Sequence, residues 1–245
     1  VSISFGAARL LRYVVASAAK FSETAVMVVT PDEFVFKAID PSKTALLMLA
    51  VPRESAITYN VPEATQLVVN LEDLSKVFRS AEKDDSISLG WTQSSLSVSF
   101  ERRGYLRTFT LPLSSVMEEI PEIEIDYPNT YIIPPITFHD GLAGIEDVGD
   151  LLRVEGKEDE LKLRAESELG EAEVVFSKER GGIEEADVTD PGFNVSFSME
   201  FLANFRPVIK VAEKLVLKVG SDLPLYLEVT SHGLLIKYYV APRAE

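Results

Sequence analysis

His139 and His232 are the only imidazoles in a chain of 245 residues that has no cysteine. A nucleophile–base pair, or a metal centre built on imidazole and thiolate, needs several such groups converging. His139 stands beside Asp140 in "TFHDGL", and His232 stands in the turn "TSHGL", far away in sequence. Isolated histidines of this kind are more often surface or core residues than a catalytic dyad. No G-x-S-x-G, Walker loop, G-x-G-x-x-G or H-E-x-x-H occurs. Gly181-Gly182 in "KERGGIEE" reads as a turn. Glu118-Glu119 are adjacent carboxylates, but neighbours in an extended stretch point apart, so the pair reads as a solvated loop. Catalysis, a metal and a cofactor are therefore not expected.

What remains is electrostatic chemistry on helices. Arg9, Arg12 and Lys20 cluster on one face of a predicted first helix. Lys76, Arg79 and Lys83 fall at i, i+3 and i+7 of a second, and Arg206 and Lys210 at i, i+4 of the last. One basic stripe is usually a solvated face. Three of four helices bearing one suits contact with phosphates, made without reading bases. The remaining helix breaks the pattern with His139, Asp140, Glu146 and Asp147. Net charge is −15, which alone argues against wrapping tightly around nucleic acid. The charge is uneven, however. Residues 1–22 hold three bases and no acid, and residues 108–152 hold nine acids and no base. An acidic molecule can carry a basic face.

These residues must be held by a sizeable scaffold. The chain is 46% hydrophobic and 26% charged, the balance of a well-cored globular protein of one large or two ordinary domains. The lack of cysteine fits a reducing cytosol. No apolar run is long enough to span a bilayer, and "VSISFGAARLL" does not read as a signal peptide.

Residues 6–20 read as a helix, with Leu10, Leu11, Val14, Val15 and Ala18 at helical spacing. Alternating strands follow: "TAVMVVT", "EFVFKAI", "TALLMLAV" and "TQLVVNL". "EDLSKVFRSAEK" reads as a helix with Asn70 as its N-cap, followed by "SISLGW", "SLSVSF" and "YLRTFTL". Pro112–Pro135 holds five prolines and five acids and reads as an extended linker. The pattern then restarts. "ITFHDGLAGIEDVG" is a weaker helix; "LLRVEG", "ELKLRA", "AEVVFSK" and "FNVSFS" are strands. The helix "MEFLANFRPVIK" and three more strands close the chain.

The second half repeats the first. Leu67–Leu89 lies over Val195–Leu217 without a gap, placing Glu72 on Glu200, Leu74 on Leu202 and Leu89 on Leu217. "TAVMVVTPDEFVFKA" lies over "DLLRVEGKEDELKLRA" with one inserted residue. The chain is therefore expected to be two copies of one α+β domain, helices on one side of antiparallel sheets. The expected boundaries are 1–113, a connecting segment 114–134, and 135–245. "YLRTFTL" and "AEVVFSK" are candidate edge strands, one per domain. Their pairing between neighbouring copies is heterologous and closes into a ring if the rotation allows. Tyr105, Arg107, Phe109 and Leu111 on one side, and Glu173, Val175 and Ser177 on the other, are the candidate interface.

The "AIDPSKTALLML" turn and strand, the "LEDLSKVF" helix, the acidic proline-containing linker and the terminal "YYVAPR" together resemble the proliferating cell nuclear antigen family, in its archaeal form. The likeness covers essentially the whole chain. It implies the duplicated sliding-clamp fold: a ring of three two-domain subunits, sheets outside and helices lining a hole through which double-stranded DNA passes. It implies no catalysis and no membrane, with Arg9, Arg12, Lys20, Lys76, Arg79, Lys83, Arg206 and Lys210 facing the DNA. DNA polymerase, flap endonuclease, DNA ligase and a clamp loader are the implied partners, in the cytoplasm of an archaeal cell. Clients of the family insert an apolar plug under the connecting segment. The matching positions are Ile39, Leu46, Ile120, Pro121, Pro224, Tyr239, Ala241 and Pro242, with Lys43 and Thr44 at the border. Backbone groups of Ala241 and Arg243 are expected to meet the incoming peptide. The acidic third helix departs from the family's basic lining and fits a member of a heterotrimeric set. A specialised or checkpoint-type clamp subunit and, from another class, an acidic hydrolase are the alternatives.

Overall fold

A computed structural model describes residues 1–244. The chain forms two compact units. The first comprises Val1–Pro41, Leu47–Glu122 and Ser231–Ile236; the second comprises Ser42–Leu46, Ile123–Thr230 and the final segment from Lys237.

The first unit holds β1 (Ser2–Phe5), α1 (Ala8–Ala19), β2 (Thr24–Val29), β3 (Glu33–Ile39), β4 (Ala45–Pro52), β5 (Thr58–Asn60) and β6 (Thr65–Asn70). It continues with α2 (Leu71–Phe78), β7 (Ser86–Trp91), β8 (Ser95–Arg102) and β9 (Tyr105–Pro112). Its strands run in the orders β5-β1-β7-β8-β9 and β4-β3-β2-β6. α1 turns Leu10, Leu11, Val14, Val15 and Ala18 inward and leaves Arg9, Arg12 and Lys20 in solvent. Asn70 caps α2 as expected: its side chain accepts from the Asp73 N–H at 3.0 Å. Glu72 and Asp73 in the first turn and Lys76 in the last complement the helix dipole.

The second unit holds β10 (Asn129–Ile133), α3 (Pro135–Ala143), β11 (Leu151–Gly156), β12 (Glu160–Ser167), β13 (Gly170–Ser177), β14 (Glu185–Val188) and β15 (Asn194–Ser198). It continues with α4 (Met199–Lys210), β16 (Lys214–Val219), β17 (Leu225–Ser231) and β18 (Leu234–Val240), of which Ser231 and Leu234–Ile236 are counted with the first unit. Strands run in the orders β14-β10-β16-β17-β18 and β13-β12-β11-β15. Pro135 opens α3, where its missing N–H costs nothing. Phe205 of α4 stacks on Tyr238 at 4.3 Å, and the Tyr238 hydroxyl donates to the Phe201 carbonyl.

The two units repeat strand for strand, β1 matching β10, β9 matching β18 and β13 matching β4. The ungapped match holds: α2 and α4 begin at 71 and 199, and β7 and β16 begin at 86 and 214. The opening strands need no insertion, since β2 and β3 begin at 24 and 33 where β11 and β12 begin at 151 and 160. The repetition extends to a detail that sequence cannot reveal. The Ser114 N–H donates to the Val68 carbonyl, and the Arg243 N–H donates to the equivalent carbonyl of Ser196.

Three expectations change. β10 occupies part of the stretch 114–134 read as linker and pairs with both β14 and β16. Its Asn129, Tyr131 and Ile133 are buried, so period-two burial overrides the flanking prolines. β1, β5 and β14 are short strands that carry too few residues to give a pattern. α2 stops at Phe78, so Lys83 lies beyond the helix and not on its stripe. The cause is Asp85, whose buried carboxylate accepts from the Glu82 N–H at 3.0 Å and closes a turn there.

Candidate functional site

The helices of the first unit present a basic surface. Arg9, Arg12, Lys20, Lys76, Arg79 and Lys83 are all exposed. Arg12 reaches across to the Ala81 carbonyl at 3.5 Å. Lys76 is 2.8 Å from Glu72, which holds that carboxyl below its usual range and raises the lysine. Arg9, Lys20, Arg79 and Lys83 make no ion pair among the described residues.

The second unit behaves differently. Arg206 on α4 is clasped by Glu146, Nε at 2.8 Å from Oε2 and Nη2 at 2.7 Å from Oε1. Its Nη1 lies 2.9 Å from His139 Nε2, and His139 Nδ1 lies 2.8 Å from Asp140 Oδ1. Because arginine only donates, Nε2 accepts, and the ring proton sits on Nδ1 facing Asp140. His139 thus has partners that sequence spacing hid, and they tie α3 to α4. Lys210 alone among the bases of these two helices is exposed.

Both candidate edge strands lie at sheet ends, β9 in the first unit and β13 in the second. Strand register separates the residues expected to form the interface. Arg107, Phe109 and Leu111 lie opposite Phe100, Val98 and Leu96, so they share the inner face of their sheet. Glu173, Val175 and Ser177 lie opposite Arg164, Lys162 and Glu160, on the outer face of theirs. The inner-face residues of β13 are Ala172, Val174 and Phe176. The expected interface set therefore mixes two faces, since a two-residue period cannot tell which side is buried. Arg107 is also committed internally. It donates to Asp85 at 2.7 Å and to the Ser80 carbonyl at 3.1 Å, and lies over the rings of Phe100 and Tyr105. Glu173 is engaged by Arg164 and Lys162, which hold its carboxyl below the usual range.

In the second unit a groove of about 440 Å³ is lined by Ile123, Ile125, Tyr127, Lys218, Tyr226 and Tyr239, with Glu124 and Asp126 beside them. Tyr127 stacks on Tyr226 at 5.9 Å, and Tyr226 meets Tyr239 at 4.9 Å. The Tyr127 hydroxyl donates to the Pro224 carbonyl at 2.8 Å, and the Tyr226 hydroxyl bonds Glu228. Burial pushes all three phenols up; Glu228 adds to the rise at Tyr226 and Tyr239. Sequence reading found Tyr239 and Pro224 but missed Tyr127, Tyr226 and Lys218. Tyr226 alternates like any strand residue, and Tyr127 sits in a stretch with no periodicity.

The remaining docking positions divide. Leu46 is interior, 3% exposed, and offers no surface; it belongs to the core. Ile39 and Ile120 are half-buried, while Pro121 and Lys43 are exposed. Lys43 holds a positive φ of 58° in its turn. The N–H groups of Ala241 and Arg243 are not available to a peptide. They donate to the carbonyls of Thr44 and Ser196 at 2.7 and 2.8 Å. An apolar strand end followed by proline is thus pinned on both sides, and only its carbonyls and the Ala241 and Pro242 side chains remain.

Residues 1–113 match the family model described as proliferating cell nuclear antigen, N-terminal domain. The chain is 30% identical to DNA polymerase sliding clamp 3 of Aeropyrum pernix, over 98% of this chain and 97% of that protein. It is 28% identical to a DNA polymerase sliding clamp of Thermofilum pendens over the full length of both. Its backbone superposes on a crystal structure of a PCNA2–PCNA3 complex from Sulfolobus tokodaii with a TM-score of 0.90, at 26% identity and full coverage of both chains. Two repeated units, each with two helices and antiparallel sheets, define the fold of the sliding clamps. Within that class, the chain belongs to the proliferating cell nuclear antigen family.

Proposed function

We propose that this chain is one subunit of a three-membered ring that encircles duplex DNA and tethers replication and repair enzymes to it. The observation that carries the reading is a pair of eight-residue strands at sheet ends, β9 in the first unit and β13 in the second. An unpaired edge strand is a template for another chain, and two unlike edges on one molecule favour head-to-tail closure. The inner-face residues Tyr105, Phe109 and Leu111 meet Ala172, Val174 and Phe176 of the next subunit. Residues 1–113 and the stretch from β10 to the end are the two clamp domains, joined through the segment that follows residue 113 and precedes β10. The two further subunits are clamp subunits of the same fold, like or unlike this one.

Arg9, Arg12, Lys20, Lys76, Arg79, Lys83 and Lys210 face the DNA as loose phosphate contacts, weak enough to slide. DNA polymerase, flap endonuclease and DNA ligase dock an apolar peptide on Ile39, Pro121, Pro224, Tyr239 and Pro242, and a clamp loader places the ring. Tethering raises the effective concentration of each enzyme at the DNA. The role is non-catalytic, and no helix among the described residues is long and apolar enough to cross a membrane.

The test is a primed circular template with polymerase and loader, with the chain added alone or with its paralogues, beside native mass spectrometry of the same mixtures. Longer products in mixtures that contain a three-subunit species are expected. Longer products without any assembled species, or a ring that leaves product length unchanged, would reject the reading.

A further inference from the structure

Residues 1–113 carry 12 basic and 12 acidic side chains, whereas residues 114–245 carry 12 and 27, so the whole net charge of −15 resides in the second stretch. The helices follow the same division. On α1 and α2 the bases project into solvent. On α4 the guanidinium of Arg206 has its Nε–Nη2 edge occupied by the Glu146 carboxylate and its Nη1 turned to His139. Glu146 is itself only 17% exposed in its side chain, so the pair is a half-buried, bidentate ion pair and not a loose surface one. A guanidinium held at three points cannot swing to a phosphate without leaving Glu146 and His139 unsatisfied.

We infer that phosphate contact is concentrated on the first unit, that Arg206 is a positioning residue which locks α3 onto α4 and is withheld from DNA by Glu146, and that Lys210 is the one base of α4 left to the duplex. This rests on the sliding-clamp reading above. A surface one-sided in charge holds the duplex mainly against one domain of each subunit and leaves the helices of the other only Lys210 as a phosphate contact. Glu146 then acts as the gatekeeper. Removing its charge, while keeping its shape, releases one cation to the duplex.

The experiment measures anisotropy of a labelled duplex against assembled protein over a salt series, with circular dichroism and native mass of each variant as controls. Glu146→Gln should steepen the dependence of log K on log salt by up to about 0.9, the value of one phosphate contact. The double variant Glu146→Gln with Arg206→Gln, which leaves net charge as in wild type, should return the slope to the wild-type value. Arg9→Gln, Lys20→Gln and Arg79→Gln together should flatten it by roughly 2–3. A double variant that loses slope relative to wild type overturns the inference, because Arg206 then touches phosphate despite its clasp. An unchanged slope in the first-unit triple variant overturns it as well. Wild-type protein with no salt-dependent duplex binding at all overturns instead the DNA-encircling reading on which the inference stands.

Discussion

Asp85 is a single buried carboxylate on which a whole edge of the first unit depends. Its side chain is fully covered and faces Arg107 at 2.7 Å, Arg102 Nε at 3.3 Å and the Glu82 N–H at 3.0 Å. Arg102 in turn grips Glu82 and donates to the Tyr105 hydroxyl at 2.8 Å. Both arginines are mostly covered, with side chains 19% and 27% exposed. Asp85→Ala strands Arg107 without a counter-charge, leaves Arg102 only the exposed Glu82, and opens the turn that ends α2. Breaking a buried pair in this way costs about 3–5 kcal/mol. For a chain of this size that is a fall of roughly 6–20 °C in Tm. Asp85→Asn keeps an oxygen for the Glu82 N–H and loses only the charge, so it should fall between wild type and alanine. Because β9 hangs on this cluster through Arg102, Tyr105 and Arg107, assembly should weaken along with stability. Urea unfolding followed at Trp91, together with native mass at fixed concentration, reads both quantities. If the alanine variant unfolds within 1 kcal/mol of wild type, the two arginines do not depend on Asp85 and the reasoning is wrong.

Three further outcomes are expected. Proline in place of Thr108 on β9 or of Val175 on β13 should abolish assembly while leaving the subunit folded, since edge strands tolerate proline but pairing does not; wild-type assembly by gel filtration would remove these edges from the interface. Tyr239→Ala with Pro242→Ala should weaken a client peptide by about 2 kcal/mol or more, some 30-fold, and leave duplex binding unchanged; calorimetry showing unaltered peptide affinity would dismiss the groove. Burial pushes Tyr59 up to about 12, with the charge of Glu33 adding to it, and the groove tyrosines also rise. A phenol raised on folding stabilises fully below its unfolded value near 10 and loses that contribution as pH climbs through the folded value. Tyrosinate absorbance should therefore lag an unfolded control, and urea midpoints should fall above pH 10; eight tyrosines titrating together near 10 in folded protein would contradict this.

The parts of the fold that sequence made legible are those ruled by local period. α1 and α4 have long apolar faces, Asn70 is a recognisable cap, and the internal repeat aligns without a gap from Leu67 to Leu89 because both copies bury the same positions. β10 was hidden because five acids and five prolines in Pro112–Pro135 dominate the composition, while its burial shows only once β14 and β16 flank it. The face of an edge strand was hidden for a more general reason. Arg107 and Thr108 alternate as any strand residues do, and only the partner strand says which one points inward.

Charge was the least legible property, because a stripe of bases on a helical wheel carries no information about what lies across from it. Arg206 and Arg79 look alike in sequence, one in "NFRPV" and one in "VFRSA". They differ because Glu146, which is 60 residues from Arg206 in the chain, folds back onto α4. On α2 the nearest acids, Glu72 and Asp73, are taken by Lys76. Partners distant in the chain likewise distinguish the buried Asp85 from an ordinary acidic turn, since "KDDS" offers no sign that its second aspartate is covered by β8 and β9. A basic stripe is thus a count of available cations before the fold spends some of them on itself. In this chain the second unit spends Arg206 and the first leaves Arg9, Lys20, Arg79 and Lys83 in solvent, which is why an overall charge of −15 is compatible with a surface for DNA.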